Sequence, residues 1–259
     1  MSIVRTITLA DHRINRIGLG TNRLTDTPEH RDFLVRAVEA GVDFIDTAHL
    51  YTTGASERAI GGALAPFPDD LVVATKAGYE RGSGRPERLR AEVEESFERL
   101  RTDTIALYYL HRVDPEVALE QSLSVLREYR DAGRIRHVGV SQVSVEQIKR
   151  ARTVVPIAAV QNSYSLSDRS SEHVVDFCES ENIPFIPFFP LRRPTRAPLD
   201  EIASRSDATL HQVILAWLLK RSPIIVPIPG TLSLEHLTTN LAALDLELSD
   251  EDYARLNGD

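Results

Sequence analysis

A single cysteine, Cys178, leaves the 259-residue chain without an intrachain disulfide or a thiolate metal cluster. It follows Val174 and Phe177 at helical spacing, which reads as a buried structural thiol, and the lack of disulfides fits a reducing compartment. Long apolar runs are missing too. The first sixteen residues are broken by Arg5, Asp11, His12 and Arg13, so no secretory signal is expected. The longest apolar run, 183–191, holds three prolines and is too short to span a bilayer. A soluble, cytoplasmic protein without a membrane partner is expected. Basic residues are outnumbered, 30 against 38, for a net charge of −8, the wrong sign for a dedicated nucleic-acid binder. The eight histidines form no His-x-His or His-Glu-x-x-His set, so no metal is expected. No Gly-x-Ser-x-Gly elbow for acyl transfer occurs either.

What is present is alternation. Short β-branched runs at 16–21, 42–47, 71–76, 104–111, 135–141, 157–164, 184–190 and 224–230 read as strands. Amphipathic stretches at 28–40, 56–64, 86–100, 115–132, 144–153, 171–181, 208–221 and 234–244 read as helices, with a last one at 250–256. Gly41 and Gly133 fall where left-handed helix ends belong, and Asp114-Pro115 reads as an N-cap with a first-turn proline. The strand interiors are too apolar for a sheet wetted on one face, so they read as parallel strands covered by helices. Eight strand–helix units predict an α/β fold: one (β/α)8 TIM barrel over residues 1–259, its floor covered by an N-terminal hairpin in 1–14. The same alternation fits a doubly wound open sheet.

A parallel barrel carries its active site at the C-terminal strand ends. Strand two ends at Asp46 with Tyr51 in the loop beyond, strand three ends at Lys76 and strand four at His111. A phenol is a weak acid at neutral pH; a neighbouring ammonium favours its phenolate and is expected to lower its pKa. A carboxylate would hold that ammonium, and a histidine would orient a carbonyl oxygen for protonation. Asp46, Lys76, Tyr51 and His111 are therefore the candidate catalytic set. An aldolase-like Schiff base on Lys76 is a second chemistry open to such a barrel.

At this point the chain resembles the aldo-keto reductase family over nearly its whole length. Asp46-Thr47-Ala48-x-x-Tyr51 with Ser56-Glu57-x-x-Ile60-Gly61 is similar to the family's first signature. Gly133-Arg134-Ile135-Arg136-His137-Val138-Gly139-Val140-Ser141 and Ile228-Pro229-Gly230-Thr231 with Asn240 resemble two later segments. The resemblance implies an NADPH-dependent carbonyl reductase, with NADH also compatible, acting on a small carbonyl substrate. It implies that Ser141 and Gln161 hold the nicotinamide carboxamide, with Gln142 as a further cofactor contact, and that Phe188 takes the place of a stacking tyrosine. Gly20, Thr21 and Asp46 at strand ends, with Pro190, Leu191 and Ile228, are implied as further cofactor contacts. Gly230, Thr231, Ser233, His236 and Asn240 would receive the adenosine end at a helix N-terminus. Arg192, Arg193 and Arg196 read as a pyrophosphate clamp or as a solvated basic loop. Arg81, Arg85, Arg88 and Arg90 read as a solvated face or as a site for an anionic substrate.

The chain departs from the family's pattern in places. Thr52 stands for the glycine usual after the tyrosine, and Gln142 for the asparagine after Gly-Val-Ser. A short loop after strand seven and an end soon after 250–256 imply an open pocket. Within the family, the run 188–191 and the segment 228–231 look most like short bacterial members, including pyridoxal reductases. A cofactor-binding redox sensor on the same fold is the alternative function.

Overall fold

A computed structural model describes residues 4–192 and 197–258, with the side chain of Ala197 left aside. The chain opens with a hairpin, β1 (Thr6–Leu9) and β2 (His12–Asn15), paired antiparallel. Ala10 and Asp11 turn it with φ of 50° and 65°, the two positive angles of a tight hairpin turn that follows strand twist. Six parallel strands follow in sequential order: β3 (Leu19–Gly20), β4 (Phe44–Asp46), β5 (Val72–Ala77), β6 (Ile105–Leu110), β7 (Ile135–Ser141) and β8 (Ile157–Gln161). The segments expected as strands seven and eight close the ring by isolated bridges, Val160 to Phe185, Phe185 to Ile225 and Gly20 to Gly230. Pro184, Pro187 and Pro190, then Pro223, Pro227 and Pro229, lack the N–H that a continuous ladder needs. Their carbonyls still accept, from Val160, Gly18 and Gly20 at 3.0, 3.0 and 3.3 Å. The result is the expected (β/α)8 barrel, with two proline-interrupted strands.

Strand alternation sorts the side chains into two layers. Phe44, Val72, Ala74, Leu107, Tyr109, Ala159, Ile186, Val226 and Ile228 pack inside the ring, together with Leu9, Ala10 and Ile14 of the hairpin. The hairpin thus plugs the floor, as expected. Their outward neighbours, such as Ile45, Val73, Tyr108, Val140 and Val160, meet the helices in a second core. Gly139 is needed inside the ring: a Cβ there would sit 2.4 Å from the Tyr109 ring. Arg16 seals the seam, donating to the carbonyls of Val4, Leu219 and Ile225 at 3.0, 3.0 and 3.1 Å.

The helices are α1 (Pro28–Glu39), α2 (Ala55–Leu64), α3 (Pro86–Leu100), α4 (Leu119–Asp131), α5 (Val145–Arg152), α6 (Glu172–Ser180), α7 (Ala197–Arg205), α8 (Leu210–Arg221), α9 (Leu234–Leu241) and α10 (Asp250–Asn257). Gly41 and Gly133 do lie just past α1 and α4, with φ of 101° and 75°. The expected cap at Asp114 is a correction. Asp114 does accept from the Glu116 N–H at 2.9 Å, the bond of a cap, but it opens only a turn, its other oxygen accepts from the Gly84 N–H at 2.9 Å, and helix α4 begins at Leu119. The segment after strand seven, expected as a short loop, contains helix α7. No helix of the described residues is long and apolar enough to cross a membrane.

Candidate active site

The inward positions that end the strands put polar groups at the barrel mouth. One turn of alternation above Phe44, Ala74 and Ala159 come Asp46, Lys76 and Gln161, all buried. Lys76 Nζ donates to Asp46 Oδ1 at 2.5 Å and to the Thr47 carbonyl at 2.8 Å. The other carboxylate oxygen accepts from Gln161 Nε2 at 2.8 Å, so Asp46 is fully engaged. Lys76 Nζ lies 5.1 Å from the Tyr51 ring centroid, and the Tyr51 and His111 rings stand edge-on with centroids 6.0 Å apart. The four residues singled out from strand ends therefore meet at one place.

The signature residues beyond Tyr51 hold this arrangement from behind. Ser56 Oγ contacts Thr47 Oγ1 at 2.7 Å and Thr21 Oγ1 at 2.9 Å, tying α2 to the ends of β3 and β4. Buried Glu57 accepts from Thr75 Oγ1 at 2.6 Å and pairs with Arg99 at 3.4 Å.

Electrostatics refine the expectation for Tyr51. Burial pushes its phenol up, Lys76 pulls it back, and the balance leaves it above its ordinary value of 10.0. The expected net lowering is thus corrected: desolvation outweighs the ammonium, and the phenol stays protonated at neutral pH. Burial works against the Lys76 ammonium, yet Asp46 and Tyr51 together hold its pKa above the ordinary value. A charge locked in this way is a poor Schiff-base nucleophile. Burial, then Lys76 and Arg112, push His111 well below its ordinary range, so its imidazole is neutral. Its Nδ1 is buried without a partner among the described residues.

A cavity of about 890 Å³ runs from this cluster along the mouth. Of the expected cofactor residues, Gly20, Thr21, Asp46, Gln142, Gln161, Phe188, Pro190, Leu191, Arg192, Ile228, Gly230, Thr231, His236 and Asn240 line it. Ser141 and Ser233 do not line it, nor does Lys76, which is buried behind Asp46 and Tyr51. Ser233 caps α9, its hydroxyl accepting from the His236 N–H at 3.3 Å. Gln142 instead reaches the His111 carbonyl at 3.3 Å. Arg192 stacks on Phe189 at 4.8 Å and faces Asp168 at 3.8 Å, while Arg193 and Arg196 lie outside the described residues. The second arginine cluster is spent on surface ion pairs, Arg81 and Arg85 with Glu116, Arg88 with Glu80 and Arg90 with Glu128, which favours its solvated reading.

The wall also holds residues that the sequence reading passed over: Asn22, Arg23, Leu50, Tyr79, Phe189 and His211. Tyr79 had a signal, three residues past the end of strand three, in the loop where barrel sites are built. Its ring lies 4.8 Å from that of His111 and carries the Arg112 guanidinium at 5.2 Å on the ring. His211 sits in the first turn of α8, and only the docking of that helix brings it to the wall.

The features of this mouth fit a nicotinamide dinucleotide. Ser141 Oγ is a buried polar atom without a partner among the described residues. The cavity is also bounded by Gly230, Thr231 and the N-terminus of α9, where backbone N–H groups favour an anion. Arg23 adds a cation there, donating to the Gly230 carbonyl at 3.0 Å.

A barrel with a buried carboxylate–ammonium pair beside a tyrosine and a neutral histidine defines a class of mouth-sited oxidoreductase, and comparison with known proteins agrees. The model of the aldo/keto reductase family matches residues 16–197 and 189–258. The chain belongs to this family. It is 37% identical to an uncharacterized oxidoreductase of Schizosaccharomyces pombe, over 97% of this chain and 89% of that one. It is 34% identical to pyridoxine 4-dehydrogenase of Escherichia coli, over 98% of this chain and 97% of that one. The crystal structure of a Klebsiella pneumoniae aldo/keto reductase with NADP and acetate superposes with a TM-score of 0.88 at 27% identity, covering 99% of this chain and 95% of that one.

Proposed function

We propose that the protein reduces an aldehyde or ketone to an alcohol with NADPH, with Tyr51 as the acid. The observation that carries this reading is the shared environment of one phenol, edge-on to a neutral His111 and beside the Lys76 ammonium that Asp46 holds. Bound in the cavity, NADPH supplies a hydride to the carbonyl carbon. Tyr51 gives its proton to the carbonyl oxygen, and the two additions together make the alcohol. Lys76 stabilises the phenolate left behind, and Asp46 keeps that ammonium charged in a buried place. His111 orients the oxygen without competing as an acid, because its imidazole is neutral.

Gln161, which lines the cavity, would hold the carboxamide, with the unpartnered hydroxyl of Ser141 beside it on β7; Phe188 would meet the nicotinamide face, and Gly230, Thr231 and α9 with Arg23 the adenosine phosphate. The Klebsiella relative crystallised with NADP supports this cofactor. Leu50, Tyr79 and Phe189, with 37%, 38% and 49% of their surface exposed, are three of the six exposed large apolar side chains among the described residues, and all three face the cavity. Such a rim favours a carbonyl on a flat, apolar body over a polyhydroxylated one. The Escherichia coli relative, whose name refers to pyridoxine, is in keeping with a heteroaromatic aldehyde.

Tyr51→Phe removes the acid and leaves the ring. Its kcat for aldehyde reduction is expected to fall by about 100-fold or more while NADPH affinity holds. Turnover near that of the parent would dismiss Tyr51 as the acid.

A further inference from the structure

The chain leaves Tyr51 by an unusual route. Thr52, Thr53 and Gly54 follow it with φ of 48°, 56° and 77°, three successive residues in the left-handed region. Glycine enters that region freely, but two β-branched residues in a row enter it only against steric strain. Strain of this kind persists where the surroundings over-determine it. Here they do. The Thr52 hydroxyl lies 2.6 Å from the carbonyl of Leu24, a fully buried residue in the loop after β3. The carbonyl of Tyr51 itself, at 2.7 Å, lies within reach of the same single hydroxyl proton. At the far end, Gly54 lies against the Arg99 guanidinium, with a would-be Cβ only 2.5 Å from it. Arg99 also donates to the His49 carbonyl at 3.1 Å, so the loop before Tyr51 and the turn after it share an anchor.

We propose that Thr52 is a positioning residue: its strained left-handed backbone, clamped through its hydroxyl to the buried Leu24 carbonyl, fixes the Tyr51 phenol against Lys76 and His111 before any ligand arrives. The clamp acts on the residue next to the phenol and touches none of the reacting atoms. It rests on the reading of Tyr51 as the acid, which the control below checks separately.

The structure makes a prediction that an ordinary packing role would not. Removing Thr52's side chain relieves the left-handed strain while giving up one hydrogen bond, so stability stays level as positioning is lost. The experiment compares Thr52→Gly, Thr52→Val, Thr52→Ser and Tyr51→Phe with the parent. It reads kcat and KM for an aldehyde at saturating NADPH, NADPH affinity by fluorescence, and Tm.

Thr52→Gly and Thr52→Val should each lose about tenfold in kcat, the scale of a small misplacement of a reacting group. KM and NADPH affinity should stay within about twofold, as expected when only a transition-state interaction is lost. Thr52→Ser, which keeps the hydroxyl, should recover most of kcat. The Tm of Thr52→Gly should stay within about 2 °C of the parent. Parental kcat in Thr52→Gly and Thr52→Val would overturn the proposal. So would a kcat loss accompanied by weaker NADPH binding and a Tm drop of more than about 5 °C, the pattern of a merely structural residue. If Tyr51→Phe keeps its turnover, the reading of Tyr51 as the acid falls. If it loses turnover while Thr52→Gly and Thr52→Val do not, the clamp alone falls.

Discussion

Tyr51 is protonated and His111 neutral across the physiological range, and each owes this first to burial. The pH dependence follows from the signs. A phenol raised above 10.0 keeps its proton until the solution is strongly basic, so reduction should decline only there. A histidine pushed well below 6.5 contributes no ionisation near neutrality. The kcat for reduction is therefore expected to be flat between about pH 6 and 9, measured at saturating substrate and cofactor. A limb near 6.5 would place an ionising histidine in the reaction and contradict the neutral His111. At this scale much was legible in the sequence. Asp46, Lys76 and His111 end runs with a two-residue period, so their convergence follows from strand geometry alone. The net direction of the Tyr51 shift was not legible, because it depends on how much water the fold removes from the phenol. The left-handed backbone of Thr52 had one signal, the glycine usual at that place in the family's pattern, but the propensity of threonine itself hides it.

Among the elements, the inward faces of neighbouring strands have to share the barrel's interior. Tyr109 on β6 pairs with Gly139 on β7, and the missing side chain of one admits the ring of the other. Gly139→Ala should destabilise the protein by about 1–3 kcal/mol in urea unfolding, the usual cost of overpacking. Adding Tyr109→Leu should return most of that loss; an additive double variant would refute the pairing. Elements were legible where pattern and propensity agreed. The glycines after α1 and α4 marked true helix ends, and 86–100 matches α3 at both ends. They failed where tertiary contacts intervened. Asp114 makes the local cap bond to the Glu116 N–H, yet it opens only a turn, the distant Gly84 N–H takes its other oxygen, and α4 starts later. The proline-rich runs at 184–190 and 224–230 were read correctly as strand paths. Their ladders are intermittent because three prolines in or beside each run withhold donors.

The molecule as a whole is a ring whose two ends are stitched together. The hairpin fills the floor, and Arg16 joins the first strand's approach to the carbonyls of Leu219 in α8 and Ile225 beyond it. The bridge from Gly20 to Gly230 then closes the ring at the mouth, where both glycines line the cavity. Ring closure and the proposed site thus meet at the same strand ends: the fold brings Tyr51, the Lys76 ammonium and the N-terminus of α9 to one face. The comparison of whole chains places the protein in the aldo/keto reductase family, whose barrel was expected from the alternation of elements. The apolar rim of Leu50, Tyr79 and Phe189 was less legible, because it comes from three separate loops. The most direct measurement is NADPH consumption by the purified chain in the presence of a flat aromatic aldehyde. The account predicts aldehyde-dependent oxidation of NADPH with one alcohol formed per cofactor consumed. Tight NADPH binding without consumption, across aromatic aldehydes, simple ketones and sugars alike, would contradict it and leave a cofactor sensor in its place.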